Sequence, residues 1–202
     1  MIKKLITLTA ILVLSTSHSF SEETIKNSKR FDSKSFGFFL NTMTISEQSA
    51  LDNELGQSVQ SLGIYGQVEK NNGFLLGGGF GVLNFDDKGE FDVSVQYSGS
   101  DSYFGEEATA GGFNLYAYVG YQLRAETLVA NFTTGFEVFR VERSVHNCSG
   151  CPSEDLSIDA GLYLKPRVGF KFGETWWLDV TYTFYPSGDI ENSYGLALSF
   201  RR

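Results

Sequence analysis

The last strand of the chain reads Ser193-Tyr194-Gly195-Leu196-Ala197-Leu198-Ser199-Phe200, followed by Arg201-Arg202. In an extended chain Tyr194, Leu196, Leu198 and Phe200 project to one side. Ser193, Gly195, Ala197 and Ser199 project to the other. One face is apolar and ends in an aromatic ring; the opposite face is small and polar. That division suits a strand standing between lipid and a wetted barrel interior.

The same period of two recurs upstream, and eight strands can be counted from Ser35. They cover about 35–45, 58–69, 73–85, 111–124, 128–143, 156–172, 175–185 and the terminal segment. Each carries one large apolar face: Phe36, Phe38 and Leu40 in the first, Leu156, Ile158, Leu162 and Leu164 in the sixth, Trp176, Leu178, Val180, Tyr182 and Phe184 in the seventh. Connections after strands 2, 4 and 6 are about three residues long. Those after strands 1, 3, 5 and 7 are longer, at 46–57, 86–110, 144–155 and 186–192. Short turns opposite long loops, with an even strand count, describe an antiparallel up-and-down transmembrane β-barrel: periplasmic turns, extracellular loops, both ends in the periplasm. The stretch 90–97 also alternates. We read it as a hairpin arm above the membrane; a ten-stranded barrel is the competing count.

Composition agrees. The chain holds 18 Phe, 10 Tyr and 22 Gly but only 3 Pro, a barrel-like profile. No run of 18 apolar residues occurs, so no helix is expected to cross a membrane. The formal charge of −8 offers no basic patch and argues against nucleic acid. Residues 1–21 read as a signal peptide: Lys3 and Lys4 precede an apolar core at 5–14, and cleavage fits after Ser21, with Ser19 as the alternative. Residues 22–34 are then a short polar periplasmic tail and 35–202 the barrel. A soluble lipocalin-like barrel would put the apolar faces inside. Against it stand the aromatics near strand ends (Trp176, Phe184, Tyr194, Phe200) and the Gly- and Tyr-rich opposite faces, such as Gly77, Gly79, Tyr116 and Tyr118.

The terminal pattern polar–x–Gly–x–x–apolar–x–aromatic, with Gly195, Leu198 and Phe200, resembles the insertion signal of bacterial outer-membrane β-barrels. With the strand pattern over 35–200, the chain resembles the small eight-stranded barrels of Gram-negative bacteria, the outer membrane protein A-like, protein X-like and opacity-type group. It departs from them in Arg201-Arg202, because the family usually stops at the aromatic residue. The resemblance implies an outer-membrane location and recognition by the barrel-insertion machinery. It also implies contact with lipid and lipopolysaccharide. Members range from anchors and adhesins to lipid A-modifying enzymes.

Chemistry-bearing residues are few. Cys148 and Cys151 lie in the third long loop, where export implies oxidation and a local disulfide. A zinc site using His146 and Asp155 would need thiolates to persist outside the cell. No calcium-loop spacing occurs among the many loop carboxylates, so no metal and no cofactor are expected. The inward faces hold Glu137, Asp159, Lys165, Arg167, Lys171 and Asp179. A three-residue turn centred on Glu174 pairs Gly169 with Asp179, which sets Arg167 and Lys171 diagonally beside that carboxylate. A narrow barrel is filled by side chains, so these charges are read as structural ion pairs. His146 is the one histidine after the leader, and nothing in the sequence orients it for hydrolysis. The reading is therefore a non-enzymatic, surface-exposed structural or adhesin-like protein. It offers a partner the 140–160 hairpin, which should rise as a ribbon above the outer leaflet. A narrow solute pore and a lipid A-modifying enzyme are the alternatives. Pro166, mid-strand, predicts a bulge or local break.

Overall fold

The computed structural model describes residues 33–88, 95–96, 102–103, 108–145 and 153–201. The leader, nearly all of the tail, His146, Cys148 and Cys151 lie outside the described residues. The strands are β1 (Ser33–Ile45), β2 (Leu55–Glu69), β3 (Phe74–Asp87), β4 (Val95–Gln96), β5 (Ser102–Tyr103), β6 (Ala108–Arg124), β7 (Leu128–Val145), β8 (Ser153–Leu156), β9 (Gly161–Phe172), β10 (Trp176–Phe184) and β11 (Ile190–Arg201); one short helix, α1, spans Glu47–Asp52.

Eight of these strands form a closed antiparallel barrel. The ring runs β1-β2-β3-β6-β7-β9-β10-β11 and closes where β1 pairs with β11. Every neighbour is the next barrel strand in sequence. β4 pairs only with β5, in a separate two-stranded sheet. The alternating stretch near 90–97 therefore adds no strand to the wall, and the count is eight, not ten.

The facing follows from parity. Phe36, Phe38, Leu62, Leu162, Leu164, Leu178, Val180 and Leu198 are exposed on the outer wall, while Asp179 and Ser199 are fully buried. An apolar outside around a buried polar inside is the membrane arrangement, not the soluble one. Trp176 meets Phe200 edge-on, with ring centroids 5.7 Å apart, at the end carrying the short turns.

The interior changes character along the barrel axis. Near the long loops it is a dry cluster that includes Met43, Ile45, Val59, Leu83, Val141, Tyr185 and Ile190. Outward positions at that level turn polar: Thr42 donates to Gln60 (3.2 Å) and Thr44 to Asn192 (3.4 Å). The same strands thus leave the lipid zone as a water-facing turret with an apolar core. Tyr116 and Tyr118 stack at 6.2 Å against β3, where a Cβ on Gly79 or Gly77 would strike their rings.

Two sequence expectations need correction, and a third is met in part. The sixth strand is not continuous over 156–172. Residues 157–160 interrupt it, and Gly161 adopts φ 80°. Glu137 faces Gly161, yet Val141 faces Leu156, so the pairing slips by one residue across the gap. A one-residue slip exchanges faces. Ile158 is consequently buried and Leu156 packs against the inner cluster, while Asp159, expected inside, is exposed.

The local break expected at Pro166 is present, without a bulge. The pairing of β9 with β7 is unbroken, Phe132 opposite Pro166. On the β10 side the ladder stops after Thr181–Arg167 and resumes at Phe184–Leu164 with the same register. The missing N–H opens one side of the ladder without adding a residue. Finally, the first long loop contains α1, which periodicity does not reveal in so short a segment. The Ser46 side chain accepts from the Ser49 amide at 3.3 Å, capping it.

Candidate functional site in the barrel interior and at its outer rim

Near the end with the short turns, β10 presents Asp179 to the interior with no solvent exposure. Arg201 Nη2 donates to its Oδ1 at 2.8 Å, and Arg167 Nε lies 3.6 Å from the same oxygen. Ser199 donates to Oδ2 at 3.1 Å and Tyr65 at 3.4 Å. Gly169, directly opposite, leaves the room: a Cβ there would run into the carboxylate. Arg201 also covers the Trp177 ring at 4.5 Å, and Arg167 the Tyr65 ring at 5.1 Å. One acid from β10 thereby ties β2, β9 and β11. Buried charges persist only when paired and hydrogen-bonded in this way.

At mid-height Glu137 is buried. Asn114 donates to one of its oxygens and the Tyr185 hydroxyl to the other, at 2.6 Å. Lys165 sits over the Tyr116 ring at 5.5 Å. A cavity of about 20 Å³ opens among Asn41, Thr181, Lys165, Arg167 and the neighbouring tyrosines. That is room for about one water-sized occupant. Asn131, its amide turned to suit its neighbours, donates to Gln122 at 2.8 Å and accepts from Arg167 Nε at 3.1 Å.

The outer rim is organised by Arg143 of β7, which is buried. Its Nε reaches both Asp87 oxygens at 3.0 Å, Nη1 reaches Glu154 at 2.6 Å and Nη2 reaches the Asn53 carbonyl at 2.7 Å. One planar fork thus joins β3, β7, β8 and the segment after α1. Asp189 makes a second joint. It accepts from Ser49 and from the Asp159 amide, while its own amide donates to the Asp159 carbonyl at 2.7 Å. Beyond the rim, β7 and β8 pair from Val141–Leu156 to Ser144–Ser153, and β8 ends the sheet order, its outer edge pairing with no strand among the described residues.

The structure thus brings Arg167 to Asp179, and Lys165 near Glu137. It does not bring Lys171 to Asp179: Lys171 faces Trp177 across the ladder but is exposed at the rim. Arg201 occupies the place expected for it. Gly195, Leu198 and Phe200 lie in β11, with Leu198 and Phe200 outward and Gly195 between Asn41 and Thr181. Sequence reasoning missed Arg201, Arg143, Tyr65 and Asn114. For Arg201 a signal existed, since it shares the inward parity of Ser199. For the others the partners lie far along the chain, and no local pattern names them.

Comparison with known proteins accords with this geometry. No curated protein matches the chain. Among solved structures, Ail of Yersinia pestis, crystallised with the heparin analogue sucrose octasulfate, is similar at 15% identity and a TM-score of 0.51, covering 84% of this chain and 97% of that one. Neisserial surface protein A is similar at 10% identity, a TM-score of 0.48 and coverage of 84% and 94%. The N-terminal barrel of Pseudomonas aeruginosa OprF gives 11%, 0.48, and 85% and 98%. Such identities speak for the fold alone. The model of the outer membrane protein beta-barrel domain matches residues 34–201. The chain belongs to that outer membrane protein β-barrel family, and its place is the bacterial outer membrane.

Proposed function

We propose that the barrel is a non-enzymatic surface protein of adhesin-like type, whose partner docks on the ribbon of β7 and β8. The observation that carries this reading is the outer edge of β8, unpaired among the described residues and tied at its base by the Arg143–Glu154 ion pair. A strand edge offers unpaired N–H and C=O groups to an extended segment of another protein. On the ribbon Glu142 and Asp155 share Arg140, at 3.3 and 3.9 Å; the net negative charge left there, with Asp159 and Glu191 also exposed, favours a basic partner surface. The ligand of Ail named above is a polyanion, which this acidic rim would repel. The side-chain-filled interior, with apolar packing above and the Asp179 and Glu137 networks below, favours a plug over a conducting pore.

The Cys148–Cys151 disulfide, the signal peptide and reading of Gly195, Leu198 and Phe200 by the insertion machinery belong to the same proposal. Lipopolysaccharide is the surrounding lipid. The test is whole-cell binding to immobilised basic matrix proteins. Cells displaying the protein should bind, and Asp155→Pro, which blocks the edge, should abolish binding while the barrel still shows heat-modifiable migration. Binding equal to that of empty cells, or unchanged in Asp155→Pro, overturns the reading. Step conductances in planar bilayers would favour the pore.

A further inference from the structure

The middle of the barrel has more positive than negative charge. Between the Glu69–Arg124 pair at one rim and the Arg143 clamp at the other, the described ionisable acids and bases facing inward and buried from bulk solvent are Glu137, Lys165, Arg167, Asp179 and Arg201. With both carboxylates ionised, one cation is in surplus; with Glu137 protonated, two are. Asp179 cannot neutralise both of its arginines, and it gives Arg201 the shorter contact, 2.8 Å against 3.6 Å for Arg167. Lys165, one strand step from Arg167 on the same face and about 6.6 Å along the chain, forms no ion pair within 4.0 Å among the described residues. Like charges sharing one face of a strand in a low-dielectric interior repel.

The cavity of about 20 Å³ lies where this surplus is greatest, lined by Lys165, Arg167 and Thr181. Thr181 stands directly opposite Arg167 in the β9–β10 ladder. Its hydroxyl is buried, on a residue 4% exposed, and has no hydrogen-bond partner. Asn41 Oδ1, in the same lining, is likewise buried and unpartnered; two such groups call for an occupant, and the Asn41 amide turned about its axis would present an N–H to an anion. The cavity of about 20 Å³ suits one atom-sized species.

We propose that this cavity is a halide site, holding one chloride between the Lys165 ammonium, the Arg167 guanidinium and the Thr181 hydroxyl. The ion offsets the surplus charge and accepts from donors that otherwise face each other. It ties β9 to β10 where Pro166 interrupts their ladder, so it stabilises the barrel wall at that break.

The experiment uses the full-length barrel refolded in lipid nanodiscs. Its thermal midpoint is followed at fixed ionic strength as sodium gluconate is replaced by sodium chloride, then by sodium bromide. Binding to the folded state alone raises the midpoint saturably. Both halides should do so, and Lys165→Met should show one midpoint in all three salts. Thr181→Val should need at least about tenfold more chloride for half-saturation, the loss of one hydrogen bond to a charged group. If Lys165→Met does not fold, Thr181→Val decides. Bromide-soaked crystals should show an anomalous peak between Lys165 and Thr181. Coincident midpoints in gluconate and chloride, a halide response undiminished in the variant that folds, or an ordered water with no bromide in the cavity would each overturn the proposal.

Discussion

Arg201 closes on Asp179 at 2.8 Å inside the barrel, so a residue next to the chain's end joins the buried charge network of the strand before it. Its neighbour Phe200 points outward to Trp176. The terminal strand is therefore held by an aromatic contact on the lipid side and an ion pair on the inner side.

Asp179→Ala strands two buried arginines. Loss of about 3–5 kcal/mol is expected, because breaking a buried pair leaves charge uncompensated. Arg201→Ala should cost less, about 1.5–3 kcal/mol, since Arg167 still serves the carboxylate. Equilibrium urea unfolding in lipid vesicles measures both. A cost below about 1 kcal/mol for Asp179→Ala would mean that the node is hydrated and weak.

Arg143 serves three acceptors with one fork, so Arg143→Lys should not replace it. Both Arg143→Lys and Arg143→Ala should loosen the outer rim while the membrane zone stays folded. Limited proteolysis on intact cells should cut the outer loops faster in both variants, with heat-modifiable migration retained. Wild-type cleavage rates in Arg143→Lys would show that a point charge suffices.

Two substitutions on the outer wall locate the lipid boundary. Leu178→Arg, beside Val180 on the lipid-facing side, should destabilise the barrel by about 2–4 kcal/mol. Gln60→Arg, outward at the level of Thr42, should cost about 0–1 kcal/mol. Equal costs in vesicle unfolding would contradict a turret that rises out of the lipid.

Pro166→Ala restores a backbone donor facing the open ladder between β9 and β10. The gain of about 0.5–1.5 kcal/mol is offset by about 0.4–1 kcal/mol of added freedom in the unfolded chain. Stability should hardly move, whereas amide exchange at Tyr182, opposite position 166 in the register, should slow. Unchanged exchange there would show that the interruption has another cause.

Cys148 and Cys151 should resist maleimide without reductant and react with it after reduction. Loop cleavage on intact cells should rise with reduction. Labelling of freshly isolated, unreduced protein would exclude the proposed disulfide.

The alternation of Tyr194, Leu196, Leu198 and Phe200, repeated over seven other segments, made the barrel legible; its facing rested also on the aromatics near strand ends and the Gly- and Tyr-rich opposite faces, and eight strands rather than ten was decided only by the pairing of β4 with β5. A residue's side of a strand is a local property with period two. The turn at Glu174 likewise made the Gly169–Asp179 pairing legible, because a short turn sets the register of its hairpin. Only the closed barrel decided which groups meet inside it. Tyr65 reaches Asp179 across 114 residues of sequence, and Arg143 reaches Asp87 across 56. Such contacts depend on curvature and closure, which no local pattern encodes. The slip at 157–160 also escaped the sequence: one unpaired residue leaves composition and alternation almost unchanged, yet it sends Ile158 inward and Asp159 out.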